Sequence, residues 1–340
     1  DNVETAKAIG EEIGFDPAGA MTGPELEDMS HEELCKKVEE VEIFARVSPE
    51  HKVRISEALQ DNKRNVAMTG DGVNDAPALK KSDVGIAMGE RGTDVAKQSA
   101  DMILQDDNFV TIRDAIAEGR GIFDNIRKFV NYLLSANAGE VLAVFLGIMV
   151  GAFLFPQVFS ENAEALILTP IMLLWINFVT DGMPALALGA DPKSEGIMER
   201  QPRGQEEPVI NKRMMGSIGG MGLAIAVAGL PVFFMGLTTS SLIVAQTMLF
   251  TFMVLVEMIR IQIIRRRYDQ GLGTNKWLVG ALGASILLQL IVVYTPLNKI
   301  FDVAMLGLNS WMWIGIGTLG FLAMSYGIST SLDKMLEPEI

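Results

Sequence analysis

Residues 68–77 read Met68–Thr69–Gly70–Asp71–Gly72–Val73–Asn74–Asp75–Ala76–Pro77. A β-rich run, Val66–Ala67–Met68–Thr69, leads into a turn with two glycines and two carboxylates, and a helical pattern follows. Such a strand end suits a phosphate. Gly70 and Gly72 let backbone approach a phosphoryl group, and the start of the next helix adds a favourable dipole. A carboxylate at a strand end suits Mg2+, which takes one or two carboxylates together with phosphate oxygens. Asp-Gly and Asn-Asp are also ordinary turn formers, and Asn74 or Asp75 could simply cap a helix. A ten-residue block in strand–turn–helix context asks for more than a cap.

Outward from this block the pattern repeats. Ile43–Arg46, Val84–Ala87 and Met102–Leu104 read as further buried strands, separated by helices at about 50–61, 75–81, 93–99 and 108–127. Apolar strands alternating with helices imply a parallel sheet covered on both faces, and ligands of such sheets bind beyond the carboxyl ends of the strands. The expected fold class is therefore α/β over residues 1–122, a partial, Rossmann-like parallel sheet, followed by an all-α bundle over 123–340.

That bundle follows from six apolar blocks, at about 123–155, 165–187, 214–236, 242–264, 277–296 and 311–330. Each is long enough to cross a hydrocarbon core of about 30 Å as a helix. The loops 188–213 and 265–276 carry Lys193, Arg200, Arg203, Lys212, Arg213, Arg265, Arg266, Arg267 and Lys276, whereas 156–164, 237–241 and 297–310 hold only Lys299. That asymmetry places the N-terminal domain and the C-terminus in the cytosol. The expected setting is a multi-pass protein of the cell membrane, with an organelle membrane as the alternative, and the lipid bilayer as its first partner. A net charge of −14 speaks against nucleic acid as a partner. Cys35 is the sole cysteine, which excludes a disulfide framework and reads as a buried or neutral thiol. No signal peptide is visible at Asp1–Asn2–Val3–Glu4, and the absence of a start methionine leads us to expect further chain upstream.

Polar residues at membrane depth are costly and mark function by default. Asn137 and Glu140 in the first block are three apart and share a helix face. Asn177, Thr180 and Asp181 in the second also share a face, ahead of Gly182 and Pro184, which weaken the helix and can release carbonyls to a site. The fourth block adds Glu257. Three carboxylates, two amides and a hydroxyl are hard donors, suited to Ca2+, Na+, K+ or protons and poorly suited to soft transition metals. Asn and Thr often serve only as interhelical glue, but three acids exceed that need. Arg260, three residues beyond Glu257, either pairs with that carboxylate or marks the cytosolic helix end with Arg265–Arg267. Gly216, Gly219, Gly220 and Gly222 give the third block a small-residue face for close packing.

The decapeptide 68–77 resembles the hinge signature of P-type cation-transporting ATPases, which share the haloacid-dehalogenase fold. The resemblance implies Asp71 as the Mg2+ ligand, Asn74 and Asp75 as completing the phosphoryl site, and Thr69, Gly70 and Gly72 as its backbone and hydroxyl lining. Ala45–Arg46–Val47–Ser48–Pro49–Glu50–His51–Lys52 resembles the family segment that supplies a lysine, so that Lys52 would neutralise the phosphoryl group. The membrane spacings resemble the sarcoplasmic-reticulum type of calcium ATPase, in whose fifth, sixth and eighth membrane helices the same residue types recur. By that resemblance Asn137, Glu140, Asn177, Thr180, Asp181 and Glu257 bind the transported Ca2+, Gly139 neighbours the glycine-rich face, and Mg2+ and ATP are the cofactor and energy source. The family's phosphorylated Asp-Lys-Thr-Gly-Thr motif does not occur in these 340 residues. Asp1–Thr5 resembles the remainder of a later Thr-Gly-Asp motif. The nucleotide-binding domain, the actuator domain and four membrane helices are thus expected upstream, and this chain by itself is not expected to hydrolyse ATP. The alternatives are a pump for Na+ or another hard cation, and a non-catalytic cation-binding membrane fragment.

Overall fold

The computed structural model of the protein describes residues 2–159, 165–204 and 207–335. Asp1 and residues 160–164 of the loop 156–164 lie outside them. The chain forms two compact units, one of residues 1–116 with 201–207 and one of 117–200 with 208–340.

In the first unit, α1 (Val3–Glu12) precedes β1 (Met21–Thr22), α2 (Gly23–Glu27), α3 (His31–Lys37), β2 (Phe44–Ala45) and α4 (Pro49–Asp61). Then follow β3 (Ala67–Gly70), a 3-10 turn at Val73–Asp75, α5 (Ala76–Lys81), β4 (Val84–Met88), α6 (Asp94–Ser99) and β5 (Met102–Leu104). The strands are parallel and lie in two sheets. β1 pairs with β2, and the other sheet runs β3–β4–β5 with Gly70 opposite Ala87 and Ala87 opposite Ile103. The four strands expected from sequence are present, and β1 is an addition. At two residues it is too short for periodicity to mark. Leu79, Ala87 and Ala96 form the small core of the three-stranded sheet, while Met21, Leu26, Leu34, Val38 and Ala58 form a second core under α2, α3 and α4.

The second unit is helical. One helix, α7 (Phe109–Leu154), runs 46 residues without a break. It is followed by α8 (Pro156–Phe159), α9 (Pro170–Trp175), a π turn at Ile176–Thr180, α10 (Gly182–Leu188), α11 (Lys212–Thr239), α12 (Leu242–Arg266), α13 (Lys276–Tyr294), α14 (Asn298–Phe301) and α15 (Leu308–Met335). Counting 170–188 as one interrupted helix, six among the described residues are long and apolar enough to cross a membrane. α12 is buried over most of its length, and α11 packs on both α12 and α15. Phe233, Phe250, Phe252 and Val254 fill the centre.

The glycine face of α11 divides between two neighbours. A Cβ on Gly222 would lie 2.8 Å from Ala138 Cβ, and one on Gly139 would lie 2.9 Å from Ile225, so this end packs on α7 at Gly139. Gly216 and Gly220 face Leu332 and Ile328 of α15 instead. The helical turn explains the split: at about 100° per residue, Gly220 and Gly222 point some 200° apart.

Candidate functional site

Two clusters of functional side chains lie one in each unit. In the first unit, Ser48 caps α4: its Oγ accepts from His51 N at 3.2 Å, its own N donates to His51 Nδ1, and Pro49 occupies the first turn. This fixed start sets Lys52 on the helix so that Nζ donates to Asp75 Oδ1 at 2.5 Å. The other oxygen, Oδ2, accepts from the backbone N–H of Gly72 at 3.1 Å and of Asp71 at 3.2 Å. Asp75 thus ties the turn closed. Gly70 is required beneath it, because a Cβ there would lie 2.4 Å from Asp75 Cβ. Burial by itself would raise the Asp75 pKa. The Lys52 ammonium and the two N–H groups outweigh it and hold the carboxyl below its ordinary value.

Asp71 and Asn74 lie exposed on the same turn, while Asp75 is buried. The Asp71 carbonyl accepts from Thr93 N at 2.8 Å, which anchors the backbone and leaves the side chain to solvent. Thr69, next to last in β3, pairs with Ile86. The sequence-expected residues Lys52, Thr69, Gly70, Asp71, Gly72, Asn74 and Asp75 therefore come together, with Lys52 and Asp75 paired and Asp71 presented outward. An exposed carboxylate at a strand end fits the oxygen preference of Mg2+.

In the second unit, Glu140 on α7, Asp181 between the π turn and α10, and Glu257 on α12 are 5%, 1% and 1% exposed. Asn177 Nδ2 donates to Glu140 Oε2 at 2.9 Å, and Tyr132 OH donates to Asp181 Oδ1 at 2.7 Å. One oxygen of each acid, Glu140 Oε1, Asp181 Oδ2 and Glu257 Oε2, is buried with no hydrogen-bond partner. Three orphaned carboxylate oxygens in one bundle would be strongly destabilising without a cation or protons to meet them.

The helix break also differs from its expected place. The distortion is a π turn at Ile176–Thr180, closed by Asp181 N donating to Ile176 O at 2.9 Å, just ahead of Gly182 and Pro184. π turns recur at functional sites because they interrupt the regular ladder. Thr180, fully buried, donates to Ile176 O, and Asn137 donates to Leu133 O within its own helix. Neither reaches an acid through these bonds, although Asn137 shares the face of Glu140.

Arg260 is fully buried. Its guanidinium donates to Asn131 Oδ1 and Ser217 Oγ, both at 2.9 Å, and to Ser135 Oγ at 3.2 Å. It is thus built into the contact of α7, α11 and α12, and does not simply mark a helix end. Tyr132 and this Arg260 shell are absent from the sequence-based site. The available signal was a run of polar residues, Asn131, Tyr132 and Ser135, two turns ahead of Glu140.

A different polar cluster surrounds Asp191. Its Oδ2 takes Lys128 Nζ at 2.8 Å, and its Oδ1 takes Arg265 Nε at 2.9 Å and Asn275 Nδ2 at 3.1 Å. Asn125 Nδ2 donates to the Asp191 carbonyl at 2.9 Å. Lys128 also lies 4.9 Å from the centre of the Tyr268 ring.

Comparison with known proteins finds matches in both units. Residues 165–330 match the family described as cation transporting ATPase, C-terminus, and residues 1–83 and 53–116 match haloacid dehalogenase-like hydrolases. A haloacid-dehalogenase-like domain joined to these membrane helices defines the class of P-type ATPases. The chain is 42% identical to a calcium-transporting ATPase of Bacillus subtilis, over 92% of this chain and 35% of that protein. It is 40% identical to calcium-transporting ATPase 1 of Bacillus cereus, over 92% and 37%. An endoplasmic reticulum calcium ATPase of Aspergillus fumigatus is 46% identical over 62% of this chain and 21% of its own length. Over most of its length the chain is similar to cation-transporting ATPases, and it is an integral membrane protein. It spans about a third of the length of the two bacterial relatives.

Proposed function

We propose that the chain is the cation-binding and partial phosphoryl-handling portion of an ATP-driven pump that moves Ca2+ across a membrane through an aspartyl-phosphate cycle. The observation that carries this reading is the set of three buried acids, Glu140, Asp181 and Glu257, each with one unpartnered oxygen. Hard, anionic oxygens converging from three helix segments are the ligands Ca2+ takes.

In the soluble unit, Asp71 would hold Mg2+, which screens phosphate charge when bound. Lys52 is held by Asp75 at a fixed place beside the turn, ready to stabilise negative charge that develops on a transferred phosphoryl group. Thr69, Gly70, Gly72 and Asn74 line the approach. The aspartate that is phosphorylated and the domain that binds ATP are proposed to lie in the portion of the polypeptide upstream of residue 1. α7, continuous from Phe109 to Leu154, is proposed to couple the phosphoryl site to the cation site. The first unit and the C-terminus are proposed to face the cytosol, on the distribution of Lys and Arg between loops, in a cell membrane or, as the alternative, an organelle membrane.

The test is phosphoenzyme formation from ATP by the full-length protein. Asp71→Asn should abolish it while calcium binding stays measurable, and native phosphorylation should require Ca2+. Phosphorylation driven by Na+ with Ca2+ absent would overturn the choice of ion, and normal turnover by Asp71→Asn would overturn the phosphoryl site.

A further inference from the structure

On the soluble unit, His31, Cys35 and Asp61 each offer a ligand atom, and the three atoms lie within 4.8 Å of one another. We propose that they form a binding site for a thiophilic divalent transition metal of the Zn2+ class, separate from the transported ion and from Mg2+. A thiolate, an imidazole and one carboxylate are poor partners for Ca2+ or Mg2+ and good ones for Zn2+ or Co2+.

The scaffold holds these donors in place. Ser30 opens α3 with a capping box, accepting from Glu33 N and giving its own N–H to Glu33 Oε2, so His31 occupies the first helical position. Cys35 follows one turn later on the same face. The third donor comes from the far end of α4, and Asn62 bolts that end to α3 by donating to the Cys35 carbonyl at 2.6 Å. Asp61 is thereby placed against His31, with Nε2 and Oδ2 2.7 Å apart, while Cys35 Sγ lies 3.5 Å from the same Nε2. In a tetrahedral Zn2+ site the usual bond lengths put imidazole nitrogen and thiolate sulfur about 3.5 Å apart, and nitrogen and carboxylate oxygen about 3.3 Å apart. The sulfur already stands at the required separation. The carboxylate would withdraw from the imidazole by roughly 0.6 Å and settle about 3.6 Å from the sulfur on that geometry, the donors now lying within 4.8 Å of one another.

Metal entry releases the thiol proton, and any imidazolium proton, to solvent as the metal–sulfur and metal–nitrogen bonds form. Three protein ligands leave a fourth position for water or an added donor. Because Asp61 closes α4 and Lys52 lies nine residues earlier on it, an ion here would fasten α3 to the helix that carries the phosphoryl lysine, about 14 Å along its axis.

The experiment is titration of the purified full chain in detergent with Co2+, followed by Zn2+ as competitor. Cys35 is the one cysteine of these 340 residues, so thiolate-to-cobalt charge-transfer absorption lost in Cys35→Ser is assigned to it. We expect one Co2+ per chain with that absorption, displaced by Zn2+. Cys35→Ser should remove it, and His31→Gln and Asp61→Asn should each weaken Co2+ binding at least tenfold. His51→Gln, at the other histidine, should leave it unchanged. Absence of the absorption in the native chain would overturn the proposal, as would unchanged Co2+ affinity in both His31→Gln and Asp61→Asn. All three ligands are at least partly exposed, and helix content by circular dichroism checks that each variant is folded.

Discussion

Asp191 and Asp181 are both buried carboxylates in the same helical unit, but their surroundings differ. Asp191 spends both oxygens on Lys128, Arg265 and Asn275. Asp181 has one oxygen on the Tyr132 hydroxyl and one without a hydrogen-bond partner. Both are charged groups taken out of water, where an isolated ion is heavily penalised. Asp191 is met by cations belonging to the chain and so fastens α7, α12 and the start of α13 together. Asp181, with Glu140 and Glu257, is met by too few. The degree of satisfaction, rather than the presence of charge, separates a structural cluster from the one proposed to hold a mobile ion.

The comparison can be broken first where the effect is largest. Asp181→Asn or Glu140→Gln in the full-length pump is expected to abolish calcium-dependent phosphorylation from ATP. Loss of a buried charged partner commonly costs about 3 kcal/mol, a hundredfold or more in affinity. Wild-type calcium affinity in either variant would undo the site map. Asp191→Ala instead strands two buried cations and should lower stability by roughly 3–5 kcal/mol. That loss is read as a fall in the thermal midpoint in detergent, with calcium-dependent phosphorylation retained below it. In the absence of Ca2+, Asp181→Asn should leave that midpoint unchanged or raise it, because it removes an unpaired buried charge. A marked fall would show that Asp181 is structural in the same sense as Asp191.

A smaller effect probes the half-satisfied side. Tyr132→Phe removes one hydrogen bond to Asp181, worth about 1 kcal/mol, and should weaken calcium binding about fivefold with little change in stability. Equilibrium binding of labelled Ca2+ checks it.

The smallest effect extends the contrast to Asp75, which is satisfied like Asp191 but close to solvent. Its folded pKa is below the ordinary value of 3.8. Its contribution to stability is therefore complete above that value and is lost as pH falls through the folded pKa. Removing the ammonium in Lys52→Ala should let the loss begin at higher pH. Hydrogen exchange of segment 68–77, corrected for intrinsic pH dependence, would report the shift, and no change would separate Lys52 from Asp75.

Much of this was legible in the chain. The α/β class, the six apolar helices and the turn at 68–77 rest on periodicity and on residue types that few other local structures demand. Glu140, Asp181 and Glu257 were visible because acids in apolar blocks are costly wherever they occur. Tyr132 was not, because a tyrosine in a membrane helix is ordinary until its hydroxyl is seen on a carboxylate. Gly216 and Gly222 read as one packing face, and only helix geometry assigns them to α15 and α7. Cys35 read as an inert thiol, because Asp61 lies 26 positions away and only the fold brings it to His31.

The sequence by itself determined four of the five strands, which helices are apolar enough for a bilayer, and which residues could bind phosphate or a hard cation. Those properties are local: they follow from periods of two and 3.6 residues and from the chemistry of each side chain. Only the tertiary structure decided that Arg260 turns to Asn131, Ser135 and Ser217, that Asp191 is saturated, and that three acids keep an oxygen in reserve. Whether a buried charge is met depends on donors from distant segments, and spacing along one helix carries no record of them.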